Sequence, residues 1–235
     1  MKFSRLAATM AATLPAALLT ALATACGAAD AATPHTSSLP GDGHSHATLA
    51  VLTGTAALHV GVANLGADGP LLRVSTPAAD PPPQLREPAG NTVVYLTAQG
   101  ASAVTVTLNA AVTWQLDLAG GTTRTVADLR GARLTGINVT AGSDILDLLL
   151  PRPRGDVPVR MAGGASQFLL SLPKGTQARV TAAAGAGEIS LEGRDYVGVA
   201  GGSVFTTHGW TAGAAGFDID ATAGAARVAV TARAS

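Results

Sequence analysis

Apolar and polar side chains alternate along most of this chain. The clearest runs are Trp114 to Leu118, Val104 to Leu108 and Phe217 to Asp220. A period of two sends successive side chains to opposite faces of an extended strand, so each run predicts a strand with one buried and one wet face. The outward set reads Gln115, Asp117, Asn138, Thr140, Arg160, Gln167, Ser171, Arg179, Glu188 and Asp218. Helical signals are nearly absent, because no stretch longer than about ten residues keeps an i, i+3, i+4 apolar stripe free of Gly or Pro. The expected class is all-β.

A second pattern is superimposed on the first. Gly121, Gly142, Gly164 and Gly185 fall 21, 22 and 21 residues apart, with an apolar or small residue three before the glycine and an apolar one four after it. The triplets are Val139/Gly142/Leu146, Met161/Gly164/Phe168 and Ala182/Gly185/Ile189, and the pattern returns at Val51/Gly54/Leu58 and Ala221/Gly224/Val228. A period of this size marks units that bury their apolar faces by stacking on neighbours. The constant period predicts a β-solenoid with units of about 21 residues, strands stacked in parallel about 4.8 Å apart, and glycines at a shared corner with φ > 0. The alternative is a β-sandwich in which each unit is a hairpin turned at its glycine. Leu96/Gly100/Val104 carries one extra residue, and the prolines between Pro77 and Pro88 predict a loop that leaves the stack.

The N-terminus changes the picture. Lys2 and Arg5 precede an uncharged apolar stretch from Leu6 to Leu22, followed by Ala23-Thr24-Ala25-Cys26-Gly27. Residues 1–25 read as a secretory signal peptide, too short and alanine-rich for a membrane span. Cys26 is the single cysteine, so no disulfide can form within one chain. Leu22 to Cys26 resembles the lipobox of bacterial lipoproteins, although Ala23 stands where the usual form has Leu. The resemblance implies lipidation of Cys26; an ordinary A-x-A cleavage with secretion is the alternative. Residues 26–47, with Pro34, Pro40, Gly41 and Gly43 and few large apolar side chains, are expected to be a flexible tether. Residues 48–235 are expected to form one β domain.

Without Lys2 and Arg5 the formal charge is −2, and the arginines are scattered singly along the sequence. Neither nucleic acid nor a polybasic membrane contact is expected. Asp42, His44 and His46 are weak candidates for a metal site, since two imidazoles and a carboxylate can hold Zn²⁺ or Cu²⁺, yet no metal or other cofactor is predicted from a tether. His59 reads as an outward strand residue. Arg154-Gly155-Asp156 spells a tripeptide that some integrins read, and Asn138-Val139-Thr140 is a glycosylation acceptor triplet. Hydrolase signatures G-x-S-x-G and H-E-x-x-H are missing, and Asp144 and Asp147 have a spacing that opposes them in a strand. No catalytic residue is assigned. Glu192 to Gly216 breaks the period and collects Tyr196, Phe205, His208 and Trp210, with Phe217 at its edge. It is either a cap over the end of the stack or a binding face.

Val157 to Thr176, with its Leu-Pro-Lys-Gly run, and Ala184 to Leu191 resemble the adhesin domains of bacterial envelope proteins (the DUF4097 type) and the related C-terminal domains of cell-wall stress-response proteins. The resemblance extends over residues 48–235 and implies a β-helical, non-catalytic module held at the extracytoplasmic face of the membrane by its N-terminal lipid, with a protein or cell-wall partner. A binding protein for a small molecule or metal is the first alternative function, and an envelope hydrolase the second.

Overall fold

The computed structural model describes residues 32–89 and 91–233. The expected signal peptide (residues 1–25), Cys26 and the rest of the expected tether as far as residue 31 lie outside the described residues. Every regular element among those described is a strand, and the strands form two mixed sheets of ten and nine.

Seven glycine corners organise the sheets. Each separates two strands that do not pair with one another: the strand before the glycine joins the nine-stranded sheet and the strand after it joins the ten-stranded one. With strands numbered in chain order, the pairs in spatial sequence begin with β6 (Val93–Thr97) and β7 (Ala103–Asn109), then β2 (His46–Val51) and β3 (Thr55–Ala63). Next come β8 (Thr113–Leu118) and β9 (Thr122–Asp128), β10 (Arg133–Val139) and β11 (Ser143–Leu149), and β12 (Asp156–Met161) and β13 (Ala165–Pro173). The last are β18 (Gly216–Ala221) and β19 (Ala225–Arg233), then β14 (Gln177–Ala182) and β15 (Ala186–Leu191). Equivalent strands of neighbouring pairs run parallel in both sheets.

The triplets now have a physical meaning. The residue three before each glycine (four before Gly100) points inward from one sheet and the residue four after it points inward from the other. Leu96, Val51, Leu118, Val139, Met161, Ala221 and Ala182 make one ladder. Val104, Leu58, Thr125, Leu146, Phe168, Val228 and Ile189 make the facing one. All belong to one buried cluster except Thr125, which is buried but polar. Its hydroxyl is satisfied by the Thr122 hydroxyl at 2.8 Å, which is what permits a polar side chain in the core. Trp114 is fully buried on the same terms, with its indole N–H donating to the Asn109 carbonyl at 3.0 Å.

Both ends of the stack are closed by strands that pair antiparallel with their inner neighbours. At one end β4 (Pro70–Thr76) and β1 (His35–Pro40) extend the ten-stranded sheet, and β5 (Gln84–Arg86) extends the other. At the opposite end β16 (Arg194–Val199) and β17 (Ser203–Thr206) do the same.

Three expectations need correction. Residues 35–40 are not a tether but strand β1, paired with β4 over its whole length. An edge strand can form without large apolar residues because the ladder supplies its hydrogen bonds, and here Ser37 also donates to the Pro83 carbonyl at 2.8 Å. The glycine corners do not share a positive φ: among the seven, Gly100 and Gly185 have it, and Gly142 and Gly164 do not. Units consecutive in the chain are not always neighbours in space, since Gly164 faces Gly224 rather than Gly185.

What excludes side chains at the corners is the crowding of carbonyls. A Cβ on Gly142 or Gly164 would make an ordinary 3.5 Å contact with the carbonyl of the next corner. A Cβ on Gly120 or Gly163, one residue earlier, would overlap the carbonyls of Thr53 and Ala141. Gly120→Ala and Gly163→Ala are therefore expected to cost more than about 2 kcal/mol, while Gly142→Ala stays within about 0.5 kcal/mol of the parent. Urea midpoints of the three variants decide it, and equal losses at all three would refute carbonyl crowding as the cause.

The Pro-rich loop is tied back to the Gly100 corner by Asp80. Its carboxylate accepts from the Ser102 amide and hydroxyl, each at 2.7 Å, and from the Ala103 amide at 3.4 Å. These bonds, the Ser102 hydroxyl first, hold Asp80 below the usual carboxylate range. A carboxyl more acidic when folded than when unfolded contributes stability above its unfolded pKa of about 4, and that contribution disappears as the pH falls through the lowered folded value. Asp80→Asn should weaken the protein at pH 7 and flatten its acid-side stability profile, measured by denaturant melts between pH 7 and pH 2.5.

Candidate functional site

The aromatic segment 192–216 does not converge on one site. Glu192 and Gly193, both at positive φ, turn β15 into β16, and the chain then crosses to β17. Tyr196 stands opposite Ile189 and Phe205 opposite Val180, so both point toward the core. Their ring centroids are 4.6 Å apart; Phe205 packs against the apolar interior, and Tyr196 stays exposed beside it. Trp210 sits elsewhere, half-buried against Gly216, with the Arg179 guanidinium 5.8 Å from its ring centroid. Arg179 also forks onto the Asp218 carboxylate, which raises the guanidinium pKa further. His208 faces a third direction, its amide donating to the Glu192 carboxylate at 3.1 to 3.2 Å.

Features that the sequence pattern did not single out lie along β10, one on the outer face of the nine-stranded sheet and one at the starts of its strands. Strands β10 and β12 pair only through Ile137–Val159, Asn138–Arg160 and Val139–Met161, whereas β12 and β18 hold register over six residues. Two causes open the gap. Pro158 has no amide hydrogen to give to β10, and the register of β10 slips between Leu134 and Gly136, leaving Thr135 bulged. The result is two depressions that meet at Thr135. The wider, about 460 Å³, is bordered by Gln115, Gly136, Asn138, Pro158 and Arg160. The narrower, about 220 Å³, is floored by Ala132, Pro151, Val157 and Phe217 and rimmed by Arg133, Arg152 and Arg154.

Arginines that are scattered in sequence are thus gathered in space. Arg133 donates to the Ala111 carbonyl at 3.2 Å, and among the described residues none of the three is within ion-pair distance of a carboxylate. The unit period was the available signal: Arg133 and Arg154 are one period apart and so fall at similar levels on successive units.

The other candidates separate. His44 Nδ1 lies 3.5 Å from Glu87 Oε1, while His46 bonds Ser45 at 2.9 Å, and among the described residues no three of His, Cys, Asp and Glu gather as metal ligands. His59 is an exposed strand residue, as expected. Arg154, Gly155 and Asp156 are all exposed, but Arg154 belongs to the arginine rim and Asp156 opens β12.

No family model matches the chain. No curated protein matches it either. Among solved structures, it is similar to one described as a "putative cell adhesion protein" from Clostridium sporogenes, at 17% identity and a TM-score of 0.59, over 84% of this chain and 99% of that one. At that identity the likeness is one of fold.

Because Trp210 is half-buried, Trp210→Ala should cost about 1–2 kcal/mol, against about 3–5 kcal/mol for the fully buried Phe168→Ala. Chemical denaturation of both variants tests this ranking; a Trp210 loss as large as that at Phe168 would place Trp210 in the core instead of on the sheet surface.

Proposed function

We propose that this chain is a lipid-anchored envelope protein whose β domain is a non-catalytic, adhesin-like interaction module with β-solenoid architecture, presented on the extracytoplasmic side of the membrane. The observation that carries the reading is the fold likeness to the Clostridium sporogenes protein over nearly the whole of that chain. Parallel stacking on either side of each glycine corner supports the solenoid over hairpins turned at the glycines, since the flanking strands go to different sheets. The leader sequence and the solitary Cys26 support export and lipidation.

In this reading the end strands close the core, and the outer sheet faces are the surfaces that meet a partner. A protein or cell-wall component is the proposed partner. The depressions beside β10 support a second reading, a binding protein for a small molecule. A ligand that binds only the folded state would raise the melting temperature by mass action.

Two measurements test the proposal. Cells fed a clickable fatty acid should label the wild-type chain and not Cys26→Ser, and the wild type should fractionate with membranes. An unlabelled, soluble wild-type chain with a free thiol at Cys26 contradicts the anchor. Residues 32–235 used as bait on envelope fractions should retain a component of that envelope, and retention of none would count against the interaction module.

A further inference from the structure

We propose that the notch rimmed by Arg133, Arg152 and Arg154 is a binding site for a phosphoryl group carried by a small sugar or alcohol. This deepens the interaction-module reading, and its test depends neither on export nor on lipidation.

Three observations converge on it. The first is charge. Three guanidinium groups surround one depression, and no carboxylate among the described residues pairs with any of them. The nearest acid in sequence, Asp156, is not within ion-pair distance of any of the three. A guanidinium matches the oxygens of a phosphate or carboxylate with two parallel N–H donors. A carboxylate can satisfy one such fork, whereas a phosphoryl group offers oxygens and charge to several.

The second is preorganisation. Arg152 and Arg154 alternate with Pro151 and Pro153, whose rings fix φ and limit the freedom of the loop. The loop is fastened at both ends, by the Leu150 amide to the Ser171 carbonyl at 3.0 Å and by the Gly216 amide to the Gly155 carbonyl at 3.1 Å. Arg133 comes from a strand and is steadied by the Ala111 carbonyl. Little ordering therefore remains for binding to bring about.

The third is the lining. Below the charged rim the walls are the buried Ala132, Pro151, Val157 and Phe217, with the Thr113 and Thr135 side chains beside them. Thr135 already donates to the Trp114 carbonyl at 3.2 Å, so its oxygen remains available to accept. An anion held at the rim would have its organic part against an apolar wall with hydroxyls at the margin. The volume of about 220 Å³ limits that part to roughly one sugar ring, being below the 300–1,000 Å³ of drug-sized sites.

The test uses residues 32–235 at low ionic strength, where screening is weak, with glucose 1-phosphate, inorganic phosphate, glucose, and phosphatidylglycerol vesicles as probes. Calorimetric titration and melting temperature should both report glucose 1-phosphate binding, with inorganic phosphate at least threefold weaker and glucose silent. Arg152→Ala/Arg154→Ala should weaken glucose 1-phosphate at least tenfold. Arg73→Ala/Arg124→Ala removes two exposed arginines elsewhere and should change it less than twofold. Unchanged binding in the rim variant, or equal loss in both variants, overturns the site. Binding to vesicles with none to glucose 1-phosphate overturns the small-ligand assignment and makes the source a lipid headgroup. If both rim and control variants melt like the parent and no probe binds the parent, the proposal fails while the envelope reading stands on its own measurements.

Discussion

Register at the glycine corners is the constraint on which the rest of this structure depends. The amides of Thr55, Thr122 and Ser143 donate to the carbonyls of Gly121, Gly142 and Gly164 on the adjacent unit, at 3.0 to 3.1 Å. A slip of one residue would turn every inward side chain of that unit outward, because the side-chain period of a strand is two. Both sheets leave each corner in opposite directions, so a single fixed corner sets the register of two strands at once. The corner hydroxyls add local satisfaction: Thr55 donates to the Ala101 carbonyl at 2.9 Å, and Thr122 meets Ser143 at 3.0 Å.

Burial rather than charge supplies the driving force within that register. Each fully buried Leu, Ile, Val or Phe contributes about 1.5–3 kcal/mol, and ten of the fourteen ladder positions named above are such residues. Among the described residues the ion pairs are few, and the arginine–carboxylate pairs stand at the surface. Arg179 with Asp218, about a third exposed, belongs to a class whose pairs contribute about 0–1 kcal/mol after screening. The aromatic pair Tyr196 and Phe205 marks the place where stacking stops: beyond it the interior would meet water, and strands of reversed direction cover it.

The all-β class and the inward residues were legible because strand period and glycine spacing are local signals. The triplet Met161/Gly164/Phe168 predicts one inward residue on each side of a corner, and both are fully buried. The spatial order of the units was not legible. Exchanging two units of equal pattern leaves every local feature unchanged, so nothing near Gly185 announces that Gly224 lies between it and Gly164. Strand β1 was missed for a different reason: its partner β4 is thirty-odd residues away, and an edge strand can carry Thr, Ser and Pro. The arginine rim was hidden by counting charges along the chain, where Arg133 is alone, instead of across units. The expected positive φ at Gly142 came from a turn rule, whereas this corner turns without it and leaves ordinary room for a Cβ; the crowding falls on Gly120 and Gly163 instead.

Both terminal units are interior to the stack. Strands β2 and β3 lie between units that follow them in the chain, and β18 and β19 lie between two units that precede them. Nearest-neighbour arrays ordinarily fray from their ends and can grow by copying the last unit. This one cannot do either simply. Residues 177–206 have no seat until 216–233 have been laid against β12 and β13, so the β18–β19 pair works as a keystone. During synthesis the half-built wall beyond β13 must wait, its inner face open, until residues 216–233 have emerged. Chaperone demand should therefore concentrate on that interval, and deleting residues 216–233 should unseat β14 and β15 along with β18 and β19.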